Sequence, residues 1–231
     1  MKQLNQEETT MIIQKIKRIG SMKKKIIVDI LMFILMLLEF SRGYLPTILH
    51  EIFGICLSIL VIIHLILNRN YFKNLFKVKY NIKMIIMLII NLGFFITFIL
   101  SMIFGILSSQ DLLTSLNIDN LNIVKLHKQL AYLSLIFMGL HLGINFNAML
   151  GKINIKNKIV KYIIEILIIL FGIYSFINID FIKHITGEFG FSVYDGNIFL
   201  NIIKYLSMIL TMAIIANKKY SLRKKENKNE R

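Results

Sequence analysis

The chain has 231 residues, 56% of them hydrophobic and 18% charged, with a mean hydropathy of +0.66 and a net charge of +15. A soluble domain of this size has too little interior to bury so much apolar surface, so membrane insertion is expected. The charge excess does not indicate a nucleic-acid partner, because the lysines sit between apolar runs rather than along one amphipathic face. Cys56 is the single cysteine; an internal disulfide and a cysteine-based zinc or iron–sulfur site are therefore excluded.

Residues 1–24 read as a basic arm. The apolar run 25–40 follows it without a small-residue cleavage site, so it is expected to be a retained span rather than a signal peptide. Further runs close to the ~20 residues that cross a bilayer occupy 47–68, 84–108, 122–149, 159–178 and 198–217. In lipid each must be a helix, because every backbone N–H and C=O needs a partner within the segment. Pro46 begins the second run, where its missing N–H costs nothing. Residues 219–231 read as a solvated, mobile basic tail. The expected fold is all-α, a polytopic membrane helix bundle of about six transmembrane helices.

Orientation follows from the basic residues. The arm with Lys25, the loop after the second run, the loop after the fourth with Lys161, and the tail with Lys218 hold all of the 28 Lys and Arg except Arg42, Lys125, Lys128, Lys183 and Lys204. The loops of the opposite side also hold Asp111, Asp119, Asp180, Glu188 and Asp195. Both termini are thus expected in the cytoplasm, and the chain in the cytoplasmic membrane. The second and fourth spans then run in parallel, from outside to inside.

Those two spans carry four of the five histidines. His50 and His64 are related as i and i+14, and so are His127 and His141. On a helix that spacing is about 21 Å and roughly 40° short of four turns, so each pair shares a face. Because the spans are parallel, His50 matches His127 in depth near the outer surface, and His64 matches His141 near the inner one. A register shift from i to i+77 superposes Leu49-His50 on Leu126-His127, His64-Leu65 on His141-Leu142, Asn68 on Asn145 and Asn70 on Asn147. Spans one and two therefore read as a weak repeat of spans three and four.

Neutral imidazole is an axial ligand of haem iron, and intramembrane histidines face the bundle interior with a partner. Two opposed pairs at two depths are expected to hold two haems b, so 25–150 is the expected four-helix haem-binding core. Residues 151–218 add two helices. Gly54 and Ala131 stand four residues after the outer histidines and would let a flat macrocycle approach the backbone. Leu57, Val61, Ser134 and Met138 occupy the interval between the two depths. Asn68 and Asn145, four residues after the inner histidines, are candidate partners for haem propionates, with Arg69 supplying charge. Arg42 and Lys128 are the candidates at the outer side.

Glu51 adjoins His50 but points about 100° away from it. A metal-ion transporter would need its ligands to converge on one ion, which histidines about 21 Å apart along a helix do not do. Asp29 and Glu165 are expected to snorkel to the cytoplasmic interface, with a proton path as the alternative. His184 is expected at the surface. With no Gly-rich dinucleotide fingerprint, the chain would take electrons from a quinol or a redox partner protein.

The run Leu49-His50-Glu51, Gly54, His64-Leu65 and Asn68, together with Leu126-His127 and His141-Leu142, resembles the flavinylation-associated membrane cytochromes. The resemblance covers about residues 25–150. Similar paired-histidine helices occur in cytochrome b of the quinol–cytochrome c reductases and in ferric-reductase-like proteins. Arg69 departs from the aromatic residue expected after Asn68. The resemblance implies haem b at the four histidines and electron delivery to an extracytoplasmic flavoprotein carrying covalent FMN. Two other functions remain open on the sequence: the quinone-reactive membrane anchor of a larger oxidoreductase, and a haem-free transporter or structural membrane protein.

Overall fold

The computed structural model describes residues 2–75, 77, 80–149, 157–188 and 196–229. The loop cations Lys79, Lys152 and Lys156, together with Asp195 and Arg231, lie outside the described residues. So do the side chains of residues 2–9, 12–19, 21, 83, 146–149 and 219–229, among them the loop cation Lys83, Asn147 and much of the basic arm and tail.

The described chain is helical, without strands: α1 (Lys2–Glu39), α2 (Thr47–Leu67), α3 (Arg69–Leu75), α4 (Ile82–Leu107), α5 (Leu121–Met149), α6 (Lys158–Asn178), α7 (Phe181–Thr186) and α8 (Ile198–Asn229). Five of these contain segments long and apolar enough to cross a membrane: Thr47–Leu67, Met84–Leu107, Leu121–Asn145, Lys158–Asn178 and Ile198–Lys218. The sixth expected span, 25–40, falls at the C-terminal end of α1, where Lys25, Asp29 and Glu39 interrupt the apolar run. Residues 2–24 of the arm before it belong to the same helix, α1, of 38 residues. α8 likewise runs through the basic tail to Asn229.

Large apolar side chains cover the outside of these helices. Ile62 is 58% exposed, Leu167 60% and Ile177 72%. Exposure on this scale is what a lipid-facing surface requires and a water-facing one does not tolerate. The protein is a multi-pass membrane protein by this measure.

The chain divides into two compact units, Met1–Met36 with Ile55–Val78, and Leu37–Gly54 with Lys79–Arg231. In the second unit α5 packs against α4 and α8, α6 packs against α8, and α7 lies against α5 and α6. Helices in lipid gain nothing from hiding apolar surface from one another, so close approach at small residues holds them together. A Cβ at Gly143 would collide with the Ala213 carbonyl and Ala216, and one at Gly139 with Met212 and Ile209. Gly172 of α6 meets Thr211 and Ser207 of α8 in the same way. Hydroxyls complete that seam. Ser175 Oγ and Ser207 Oγ are 3.0 Å apart, and Thr211 Oγ1 donates to the Ile168 carbonyl at 3.3 Å. Asn81 and Asn157 cap α4 and α6 by accepting the Met84 and Ile159 N–H groups.

Candidate functional site

The four paired histidines share one local arrangement. His127 Nδ1 donates to the Ser101 carbonyl at 2.7 Å. His141 Nδ1 donates to Asn91 Oδ1 at 2.8 Å. His64 Nδ1 donates to Asp29 Oδ1 at 2.7 Å, and His50 Nδ1 lies 2.9 Å from Glu39 Oε2 with an angle short of a hydrogen bond. A carbonyl or carboxylate oxygen can only accept, so in the three hydrogen-bonded cases it fixes the proton on Nδ1 and leaves the Nε2 lone pair unprotonated. That is the tautomer in which a histidine ligates metal through Nε2, and such second partners orient ligating rings.

His50 and His127 both belong to the second unit. Their ring centroids are 6.1 Å apart and the planes cross at 78°. With metal–nitrogen bonds of about 2.0 Å, two axial imidazoles on one iron have centroids roughly 6 Å apart. The 6.1 Å separation of the pair is compatible with two imidazoles sharing one metal. Space lies beside it. A Cβ on Gly54 would meet only Glu39 Oε2, at 3.8 Å. Gly105 serves the opposite purpose, since a Cβ there would come within 3.0 Å of His127 Cε1. Ser101 Oγ donates to the His127 carbonyl at 3.2 Å and so ties α4 to α5 at this level. Ala131 is half-buried, and its carbonyl accepts from Ser134 Oγ at 2.7 Å.

Arg42 and Lys128 are close enough to act electrostatically on each other and on His127. Arg42 is exposed and Lys128 half-buried. Together they make the surroundings of His127 cationic, as an anionic propionate would require. Glu51 is turned to another task. Its carboxylate accepts from Ser109 Oγ at 2.7 Å and from the N–H groups of Gln110, Asp111 and Leu112 at 2.6, 3.1 and 2.7 Å. It thereby fastens the loop after α4 to the start of α2.

His64, Asn68, Asp29 and Lys25 belong to the first unit. Asn68 Nδ2 donates to the His64 carbonyl at 3.0 Å, while its Oδ1 accepts from Lys25 Nζ at 2.9 Å. Asn145 in the second unit repeats the first contact, donating to the His141 carbonyl at 2.9 Å. Both amides thus support the helix turn that carries a histidine. Arg69 is exposed at the start of α3. Of the residues expected in the interval between the two depths, Leu57, Ser134 and Met138 are buried and Val61 is half-buried.

Asp29 contacts His64 instead of snorkelling. Glu165 pairs with Lys218 at 2.9 Å and lies 3.9 Å from Lys161. His184, expected at the surface, is half-buried and stacks on Tyr132 with centroids 4.2 Å apart. Burial, followed by the charge of Lys128, lowers its pKa from the ordinary imidazole value.

Glu39, Asn91, Ser101 and Gly105 do not stand out in the sequence as site residues. A signal for three of them was nevertheless present. Asp29 and Glu39 are related as i and i+10, as are Asn91 and Ser101. The i, i+14 histidine ruler of α2 and α5 is therefore matched by an i, i+10 ruler on the helices α1 and α4.

Among the described residues no group of three or more His, Cys, Asp or Glu converges as a metal-ion cage would. A bis-histidine site needs only two such side chains. Comparison with known families, curated proteins and solved structures gives no match for this chain.

Proposed function

We propose that this protein is a dihaem b-type cytochrome of the cytoplasmic membrane that carries electrons across the bilayer. One observation carries the reading: His64, His127 and His141 each have Nδ1 hydrogen-bonded to an acceptor oxygen at 2.7–2.8 Å, and His50 Nδ1 lies 2.9 Å from Glu39 Oε2, an arrangement that favours Nε2 as the nitrogen offered to iron.

In this reading His50 and His127 hold the outer haem, and His64 and His141 the inner one. The haems supply a one-electron ferric/ferrous couple, and two histidines per iron close it to oxygen. The chain's own residues do the rest. Ser101 and Asn91 orient the α5 imidazoles, Glu39 and Asp29 those of α2, and Arg42 and Lys128 provide cations for propionates. Gly54 leaves room for the macrocycle edge. The C-terminal part of α1 acts as a sixth span, and both termini lie in the cytoplasm with the larger share of the lysines. Electrons enter from a quinol or a redox partner protein and leave to an extracytoplasmic acceptor, such as a flavoprotein carrying FMN.

Reduced-minus-oxidised spectroscopy of the purified protein, with haem quantified per chain, tests this. Two haems b per chain are expected. Absence of a b-type α-band refutes the reading.

A further inference from the structure

The two helix pairs share their rulers but differ in the chemistry behind the histidines. On α5, His127 and His141 lean on neutral oxygens, a main-chain carbonyl and a side-chain amide. On α2, His50 and His64 face carboxylates, Glu39 and Asp29. Side-chain exposure is 17% for Glu39 and 30% for Asp29. Glu39 Oε1 is buried with no hydrogen-bond partner among the described residues. A carboxylate held in this way is costly unless a positive charge lies close by.

We propose that Glu39 and Asp29 are positioning residues that make His50 and His64 the electron-rich axial ligand of each haem, thereby lowering both reduction potentials. The proposal rests on the dihaem reading above. Reduction of ferric to ferrous iron adds one electron and removes one positive charge, with no bond made or broken. A carboxylate one imidazole away attracts the ferric charge across a weakly screening interior, so it favours the oxidised form. Asn91 and the Ser101 carbonyl orient their histidines without a formal charge and exert much less of that bias. The same placement accounts for α1, whose only two carboxylates in the 25–40 run are the two that face histidines. α1 is in this view a helix that tunes the cofactors as well as one that crosses the membrane.

The test is potentiometric titration of the purified, haem-loaded protein beside Glu39→Gln and Asp29→Asn, which keep side-chain size. Each substitution is expected to move one haem, and a different one, toward the reduced form by about tenfold at fixed potential, or about 59 mV upward for one electron. The other haem stays where it was. Haem retained with both potentials unmoved overturns the proposal, as does an equal shift of both haems in each variant. A wild-type protein without haem overturns the dihaem reading instead. Should a variant lose its haem, the near-infrared charge-transfer band of the ferric wild type decides, because its energy follows the charge carried by the axial imidazoles. A band displaced from that of two neutral imidazoles supports the proposal, and an undisplaced band overturns it.

Discussion

The first helix pair, α1 and α2, and the second, α4 and α5, place histidines by the same spacings and back them differently. In both, the histidines recur at i and i+14 and their partners at i and i+10. In both, an asparagine four residues after the inner histidine donates to that histidine's carbonyl. Yet α4 offers uncharged oxygens and is apolar enough to span, whereas α1 offers carboxylates and is not. One helix pair packs as an ordinary membrane hairpin, and the other carries charge to its histidines.

Removing a ligand disturbs this symmetry most visibly. His127→Ala should abolish one of the two haems and so remove about half of the b-type absorbance. His184→Ala should remove none. Equal loss in both variants, measured as haem per chain, would sink the assignment.

The two glycines at the outer pair separate space for protein from space for cofactor. Gly54→Ala should leave the stability of haem-free protein within about 1 kcal/mol, because a Cβ there meets only Glu39 Oε2 at 3.8 Å, yet weaken haem loading. Gly105→Leu presses on His127 and should cost about 1–3 kcal/mol even without haem. Thermal unfolding in detergent, with and without haem, distinguishes them.

Asn91→Asp gives the second pair a charge of the first pair's kind. Its haem should shift toward the ferric form by up to about tenfold at fixed potential, opposite in sign to Asp29→Asn. No shift in a haem-loaded variant would mean that the partner's charge is immaterial.

Glu51→Gln should cost about 1–2 kcal/mol, since it weakens bonds to three backbone N–H groups and to Ser109 at once. Spectra should not change, because Glu51 holds a loop and not a histidine. A lost haem with unaltered thermal stability would contradict this.

The smallest effect concerns pH. His184 has a folded pKa below the ordinary 6.5, so below that value the unfolded chain binds the proton first. Stability supplied by neutral His184 is present above 6.5 and is lost as pH falls through the window down to the depressed value. His184→Gln should flatten the stability profile there, as read by unfolding midpoints between pH 7 and about 5.

The all-helical fold and the positions of five spans were legible in the sequence, because apolar length alone determines them in lipid. The histidine pairs were legible for a similar reason, since helical periodicity converts spacing into a shared face. Charge composition, however, could not say what Asp29, Glu39 and Glu165 do. A carboxylate near a membrane interface reads the same whether it snorkels, pairs with a lysine or faces an imidazole. Glu165 took the second course and Asp29 the third, and only the side chains' surroundings separate them. Gly105 and Gly143 were equally silent, as a glycine's use depends on what approaches it. Apolar length was enough to locate five long helices, and helical spacing to place four histidines on shared faces, while α3 and α7 were not read from the sequence. Which ring nitrogen each histidine keeps, and what charge stands behind it, came from packing alone, because a hydrogen-bond partner brought from another helix is not a property of either helix by itself.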